Sequence, residues 1–262
     1  MRRLIFIQMA KRKTKRAPAK RAKKGGKNKS IWLFLLLLPV GILGFFAFWY
    51  KAETTVQQAS HFYEVVPKGY KSVGIDVSHH QGEIDWDFLL HEQGFDTILD
   101  FVYCKATEGS DHLDTQWKRN RDYLNNAGIL NGAYHYLNPK TAPLPQAEHF
   151  LTHWKVRSID LPPVLDVEEE GFSDEDLIDK VKLWCEAVKK RSGMQPIIYT
   201  SLHFYETKFR GQMDGYQFWL AAYSREPEYM LEPQVIHWQF SESGKLPGIE
   251  TRVDLNVSKV EF

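Results

Sequence analysis

The chain has 262 residues, which is long enough for one large α/β domain or two small ones. Hydrophobic residues make up 43% and charged residues 26%, a composition typical of folded proteins that excludes global disorder. The net charge of +1 conceals two oppositely charged parts. Residues 1–30 contain 13 Lys or Arg and no Asp or Glu, whereas the remainder has 21 basic and 33 acidic residues.

An uncharged apolar segment, residues 31–50, follows this basic tail. A helix of that length spans about 30 Å, the hydrocarbon thickness of a bilayer. Trp32, Trp49 and Tyr50 lie at its two ends, where aromatic rings favour the membrane interface. We therefore predict one transmembrane signal-anchor helix over residues 31–50. The positive-inside rule then places the basic tail in the cytoplasm and the rest of the chain outside it, on the cell (inner) membrane.

Two other interpretations of this N-terminal region deserve comparison. A cleaved secretory signal peptide also has a basic start, but its apolar core is usually shorter, at about 7–15 residues, and no clear cleavage site follows residue 48. A nucleic-acid-binding arm is similarly basic. The tail has few aromatic residues and adjoins the apolar segment, so contact with anionic lipid headgroups explains it better, and we expect no nucleic acid partner.

Residues 51–69 are polar and mixed, which predicts a linker, and residues 70–262 form the predicted folded domain. Helix-period segments alternate with its first five strand-like runs. The strand-like runs cover residues 72–77, 98–105, 129–136, 163–167, 196–200, 217–222, 235–239 and 252–256. The helical segments cover residues 84–93, 115–127, 145–155 and 174–191, with Asp174 as N-cap and Gly128 and Gly193 as C-terminal glycines.

This order of elements predicts an α/β fold, an irregular closed parallel β/α barrel of the TIM type preceded by one transmembrane helix. The last three strands lie too close in sequence for full helices between them, so we expect helices to be missing there. Barrels of this kind place their chemistry at the carboxyl ends of the strands.

Several classes of site are excluded by their missing motifs. The chain has no Walker loop, no G-x-G-x-x-G and no G-x-S-x-G. No group of Asp, Glu or His has the spacing of metal ligands, and the two cysteines, Cys104 and Cys185, are too few for a disulfide framework. We expect two buried thiols, with a single bridge between them left open. Acid–base hydrolysis without a cofactor or metal is the economical interpretation.

Four carboxylates lie at predicted strand ends. Asp76 ends the first strand, Asp166 and Glu168 end the fourth, and Asp254 lies in the last. Side chains alternate along a strand, so Asp166 and Glu168 face the same side, and barrel closure brings Asp76 beside Asp254. Carboxylates that share one cavity repel each other, which raises the pKa of at least one, as a general acid at neutral pH requires. A lone acidic residue at a strand end is often only a solvated loop residue, so the prediction depends on the group.

Aromatic residues are dense along the later strands, where each has two plausible roles. Their rings stack on the apolar faces of sugars, but aromatic rings also fill barrel cores. The candidates are Tyr134, Tyr136, Tyr199, Trp219, Tyr223 and Trp238.

Eight ordered segments of residues 70–262 resemble glycoside hydrolase family 25, the muramidases related to the Chalaropsis-type lysozyme. The segments are residues 74–82 (GIDVSHHQG), 84–86 (IDW), 105–109 (KATEG), 132–136 (GAYHY), 166–168 (DVE), 219–223 (WLAAY), 238–240 (WQF) and 253–256 (VDLN). This resemblance implies hydrolysis of the β-1,4 bond between N-acetylmuramic acid and N-acetylglucosamine in peptidoglycan glycan strands, with retention of configuration.

By matching position, the resemblance implies that Glu168 is the general acid/base and that Asp166, Asp76 and Asp254 are the other acidic residues of the site. Gln239 lies in one of the resembling segments, and we predict that it binds substrate together with Tyr134, Tyr199, Trp219, Tyr223 and Trp238. Direct attack by a carboxylate and attack by the substrate's 2-acetamido group both remain open. We favour the second, with Asp166 assisting.

Two other functions compete with this one. A chitinase-like barrel carries D-x-x-D-x-D-x-E at the equivalent strand, whereas Leu161 and Val164 occupy the first two acidic positions here. A non-catalytic, membrane-tethered peptidoglycan-binding module would not need all four acidic residues. The oligomeric state and the peptidoglycan type cannot be predicted from these residues.

Overall fold

The computed structural model describes residues 37–50, 65–95, 98–157 and 160–262. They belong to two separate units, residues 1–49 and 50–262. The predicted basic tail, residues 31–36 of the predicted membrane span and most of the predicted linker lie outside the described residues.

Helix α1 covers residues 37–50, within the segment predicted to be helical. Its apolar side chains, including Leu43, Phe46 and Phe48, are exposed. Within the four described ranges, no helix combines the length and the apolar character that a membrane crossing needs.

The described residues of the second unit form nine strands, eight of which close into a barrel. These eight are β1 (Ser72–Val77), β2 (Phe101–Glu108), β4 (Asn131–Tyr136), β5 (Val164–Val167), β6 (Ile197–Ser201), β7 (Gln217–Ala221), β8 (Val235–Gly244) and β9 (Val253–Ser258). Strand β1 pairs with both β2 and β9, which closes the ring, and the short β3 (His112–Leu113) pairs with β2 alone. All eight predicted strands are confirmed, although β2 begins three residues later than expected, because the backbone N–H groups of Ile98 and Leu99 both donate to Phe95 O instead of joining the sheet.

The prediction of an all-parallel barrel is wrong for its last strand. Strand β9 runs antiparallel to both β8 and β1, so the barrel is mixed. Residues 245–252 form the whole connection between β8 and β9. A parallel return needs a crossover of about a dozen residues or more, and this connection is too short for one.

Helices cover the outside of the early strands, as predicted. They are α2 (Trp117–Ala127), α3 (Pro143–His153) and α4 (Asp174–Ser192). The predicted helix over residues 84–93 is only a π-helical turn, Asp87–Glu92, and short turns replace helices between the later strands, including α5 (Leu202–Phe204). Gly128 and Gly193 end α2 and α4 with positive φ, but Ser173 caps α4 in place of Asp174, because its hydroxyl accepts the Asp176 backbone N–H.

Two glycines leave room for aromatic rings inside the barrel. A Cβ at Gly74 would overlap Phe101, and one at Gly132 would overlap the ring of Tyr103. These rings belong to an interior cluster that is separate from the larger core between the strands and the helices. Cys104 and Cys185 are free, buried thiols.

Candidate active site

The four predicted carboxylates line one cavity of about 340 Å³ at the carboxyl ends of the parallel strands. Asp76 in β1 lies directly opposite Asp254 in β9, as barrel closure predicted. Asp166 lies in β5 and Glu168 follows that strand immediately. The alternation of side chains along an extended chain brings both to the same cavity.

Asp76 is a buried carboxylate held by two amides. Gln239 Nε2 and Asn256 Nδ2 donate to its Oδ2 at 2.9 and 2.8 Å. Burial raises the pKa of Asp76 to about 6, with a smaller contribution from the Glu168 charge, while the two amide hydrogen bonds oppose the shift. Asp76 is therefore fixed in position and ionises near neutral pH.

Asp166 and Glu168 form a carboxyl pair at different depths. Asp166 is buried, whereas Glu168 is exposed at the mouth of the cavity. Burial and the neighbouring Glu168 raise the pKa of Asp166 well above its ordinary value. Partial desolvation also raises the pKa of Glu168, although the neighbouring Asp166 and the charge of Lys105 oppose this shift. Two adjacent carboxyl groups with raised pKa values can hold one proton between them, and the outer group is accessible to a ligand.

Asp254 is the fourth carboxylate and is half-buried. Burial raises its pKa to about 8, with further contributions from the charges of Asp76, Glu242 and Glu168. A proton on Asp254 at neutral pH relieves its repulsion with Asp76, which lies directly opposite in β1.

The polar side chains behind the carboxylates form one connected network. The hydroxyls of Tyr199 and Tyr223 both donate to Gln239 Oε1 at 2.8 Å. Trp219 Nε1 donates to Asn256 Oδ1 at 3.1 Å. Since the amides of Gln239 and Asn256 bind Asp76, the aromatic residues orient the groups that hold this carboxylate.

The structure places the predicted substrate-binding residues in three positions. Tyr134, Tyr199, Trp219 and Gln239 line the cavity. Tyr223 is about half exposed and reaches the site through Gln239. Trp238 does not reach it, because it neighbours the inward Gln239 in β8 and alternation turns it outward. Its Nε1 donates to Ala222 O at 2.8 Å, and its ring packs against Tyr70 and Phe240.

Several cavity residues were not among the predicted site residues. They are Ser78, His80, Gln81 and Lys105, and Asn256 is added through its bond to Asp76, whereas Tyr136, one of the aromatic candidates, also lines the cavity. Lys105 Nζ donates to Glu108 Oε2 at 2.7 Å and lies 4.8 Å from the centre of the Tyr136 ring. Alternation with Asp254 could have identified Asn256, since the two residues lie two positions apart on one strand, with only Leu255 between them.

Other histidines in the resembling segments have structural contacts. His79 Nδ1 lies 2.7 Å from Asp114 Oδ2, and His135 is buried with Thr107 and Gln146 against its ring nitrogens. In the described part of the chain, no three side chains of the metal-binding types are grouped to hold an ion.

Comparisons with known proteins agree with this geometry. Residues 75–249 match the family model described as glycosyl hydrolases family 25. The uncharacterized protein YegX of Escherichia coli O6:H1 (strain CFT073) is 35% identical over 220 residues, which are 80% of this chain and 81% of that protein. Lysozyme M1 of Streptomyces globisporus is 30% identical over 199 residues, which are 70% of this chain and 66% of that protein.

A solved structure shares the fold. The family 25 glycosyl hydrolase from Bacillus anthracis aligns with a TM-score of 0.68 at 28% identity. The alignment covers 75% of this chain and 92% of that chain.

Proposed function

The chain belongs to glycosyl hydrolases family 25 and is a peptidoglycan hydrolase of the muramidase type, and from this premise we propose that Glu168 is its general acid/base. The observation that carries the assignment is that the two carboxyl groups lie at different depths in the cavity. Glu168 lies at the open mouth, where it can reach a glycosidic oxygen, and Asp166 lies buried beneath it. The bond cleaved is the β-1,4 bond from N-acetylmuramic acid to N-acetylglucosamine.

In the proposed mechanism, the substrate's 2-acetamido oxygen attacks the anomeric carbon as the bond to the leaving oxygen breaks. Glu168 gives its proton to that oxygen, and Asp166 stabilises the positive charge that develops on the acetamido nitrogen. Water then opens the cyclic intermediate, with Glu168 taking back a proton, so that configuration is retained. Asp76 and Asp254 act through their charge and hydrogen bonds. A covalent glycosyl adduct on Asp166, identified by mass spectrometry, would contradict substrate assistance.

The test of function uses purified peptidoglycan sacculi. We expect the full-length protein to release soluble fragments and new reducing ends, and Glu168→Gln to bind sacculi without releasing them. Glu175→Gln is the matched control, because Glu175 is an exposed carboxylate on α4. Wild-type protein that sediments with sacculi and releases no reducing ends would instead identify a wall-binding module.

We further propose that residues 31–50 anchor the catalytic domain to the outer face of the cell membrane. The uncharged segment, the 13 basic residues before it and the exposed apolar side chains of α1 support this arrangement. An anchored enzyme would act on the cell's own wall.

Fractionation tests the anchor. The full-length protein should remain with membranes after carbonate washing, and Ile42→Arg should weaken this association, because an Arg at the centre of a membrane helix costs about 2.5–3.5 kcal/mol on the insertion scale. Recovery of active protein only in a soluble, N-terminally trimmed form would contradict the proposal.

A further inference from the structure

Lys105 is the one Lys or Arg among the cavity-lining residues of the described chain. Its side chain is 8% exposed, so its ammonium group is largely withdrawn from water. The ammonium binds Glu108 Oε2 at 2.7 Å, and the Glu108 side chain is 42% exposed. The buried ammonium group of Lys105 thus binds the outer Glu108 carboxylate and also borders the cavity that holds the four acidic side chains.

The strand pairing of the barrel fixes the position of Lys105 in the cavity lining. Strand β2 places Phe101, Tyr103 and Lys105 in alternating positions, and Lys105 pairs in register with Tyr134 of β4. The ring of Tyr136 covers the ammonium from the same strand. Burying an ion pair seldom adds net stability, so stability alone does not account for a lysine in this position.

The carboxyl pair that Lys105 faces is surrounded by other ionisable groups. The acidic groups that act on the pair or lie beside it are Asp76 from β1, Glu169 after β5, Glu108, and Asp254 from β9, which holds a proton at neutral pH because its pKa is about 8. Phenols and an imidazole complete the surroundings. They are Tyr134 and Tyr136 from β4, Tyr199 from β6, Tyr223 after β7 and His80 after β1.

The four tyrosines and His80 are uncharged near neutral pH, so they add no charge that acts on the carboxyl pair. Burial and nearby carboxylates raise the pKa of each of the four tyrosines. Desolvation and the neighbouring His79 and Lys105 lower the pKa of His80. The field at the pair is therefore set by carboxylates on one side and by one ammonium on the other.

We propose that Lys105 is a positioning residue that holds the Asp166–Glu168 pair in its singly ionised form, and that Glu108 limits this influence by binding the same ammonium. The inference rests on the proposed function, because hydrolysis by this pair needs one proton on it and one negative charge. A positive charge nearby favours the ionised form of a carboxyl group. Lys105 lowers the pKa of both Asp166 and Glu168, against the effect of burial.

The test is the pH dependence of kcat/KM for the full-length protein on soluble peptidoglycan fragments. Lys105→Met should move the acidic limb of the kcat/KM profile to higher pH by roughly one unit. This is the lower end of the pKa shift that a nearby opposite charge causes. Glu108→Gln should move it in the opposite direction, because it frees the ammonium. Lys105→Arg should keep the wild-type limb, and the Lys105→Met/Glu108→Gln double variant should resemble Lys105→Met.

Lys118→Met is the matched control, since Lys118 is an exposed lysine paired with Asp122 on α2. It removes the same charge and should leave the profile unmoved. Folded, active Lys105→Met with an unshifted limb would overturn the inference, as would shifts of Lys105→Met and Glu108→Gln in the same direction. Absence of cleavage by the wild-type protein would overturn the proposed function instead, so the two failures are distinguishable.

Discussion

The two ends of the barrel interior have opposite chemistry although the same strands build both. At the closed end, Phe101 lies between the rings of His237 and Phe262, with centroids 5.5 and 5.2 Å away. At the open end, carboxylates, amides and one lysine surround the cavity. In β5 the change takes one step of side-chain alternation, from the apolar Val164, which packs in the interior cluster and borders the cavity, to the acidic Asp166.

This difference shows how position along a strand sets the role of a side chain. Two residues along a strand move a side chain by roughly 6.5 Å, which is enough to pass from a closed aromatic core to an open cavity. At the closed end, rings exclude water and stabilise the fold. At the open end, burial and mutual repulsion raise the pKa values of Asp76, Asp166, Glu168 and Asp254.

The largest expected effect is the loss of activity at the open end. Glu168→Gln should lower kcat by at least 10²–10⁴-fold, because it removes the proton donor to the leaving oxygen. The free energy of unfolding should stay close to wild type, since Glu168 is exposed. Steady-state cleavage and urea unfolding measure the two quantities.

Asp254→Asn provides the comparison for that variant. Its loss should be milder, because the predicted role of Asp254 is electrostatic and an amide keeps a hydrogen-bond donor next to Asp76. Equal, small losses for both variants would mean that the acid lies elsewhere.

At the closed end, the expected effect is on stability. Phe101→Ala should lower the free energy of unfolding by about 3–5 kcal/mol, because it removes a fully buried ring and leaves a cavity beside the buried Tyr103 and His237. The folded fraction should keep the pH profile of the wild-type enzyme. If Phe101→Ala lowered kcat without lowering the urea midpoint, the closed end would contribute to catalysis and not to stability, which would contradict this account.

His237 makes the closed end sensitive to acid. Burial lowers its pKa to about 3, and both ring nitrogens lack a partner in the described chain. Below its ordinary pKa of about 6.5, the unfolded chain binds a proton that the folded chain excludes. Stability should therefore fall as the pH decreases from about 6.5 towards 3, by up to about 1.4 kcal/mol for each pH unit.

His237→Phe should reduce that slope, because phenylalanine has no proton to bind. The buried His135, whose pKa burial also lowers to about 3, should account for part of what remains. Urea unfolding between pH 4 and pH 7 measures both slopes. Identical slopes in His237→Phe and the wild type would show that this histidine is not buried in its neutral form.

The smallest expected effect is a gain in stability at the open end. Asp166→Asn should raise the free energy of unfolding at pH 7 by about 1 kcal/mol while reducing cleavage. Folding raises the pKa of Asp166, so the folded state resists the charge that the unfolded state carries above pH 4. The gain should disappear below about pH 4, and a lower urea midpoint at pH 7 would contradict this prediction.

Much of this site could be predicted from the sequence because alternation and barrel closure are geometric rules. They predict that Asp166 lies with Glu168 and that Asp76 lies beside Asp254, and the structure has both arrangements. The direction of β9 was missed, although the length of residues 245–252 limits it to an antiparallel return.

The remaining errors have physical reasons. Trp238 and Gln239 are consecutive residues of one strand, so only one could face the cavity, and composition alone does not decide which. Lys105 was harder to assign, because a strand-end lysine with a glutamate three residues later is equally typical of a structural ion pair. Its burial beside the carboxylates depends on the bulge in β2 and on the neighbouring β4 strand.

The most direct test of the central claim identifies the sugar at each newly formed end. Sacculi digested by the full-length protein would be reduced with borohydride, and the products would be identified by mass spectrometry, with Glu168→Gln alongside. We predict reduced ends at N-acetylmuramic acid that are absent from the variant digest. Reduced ends at N-acetylglucosamine, or muramic ends that persist in Glu168→Gln, would contradict the account.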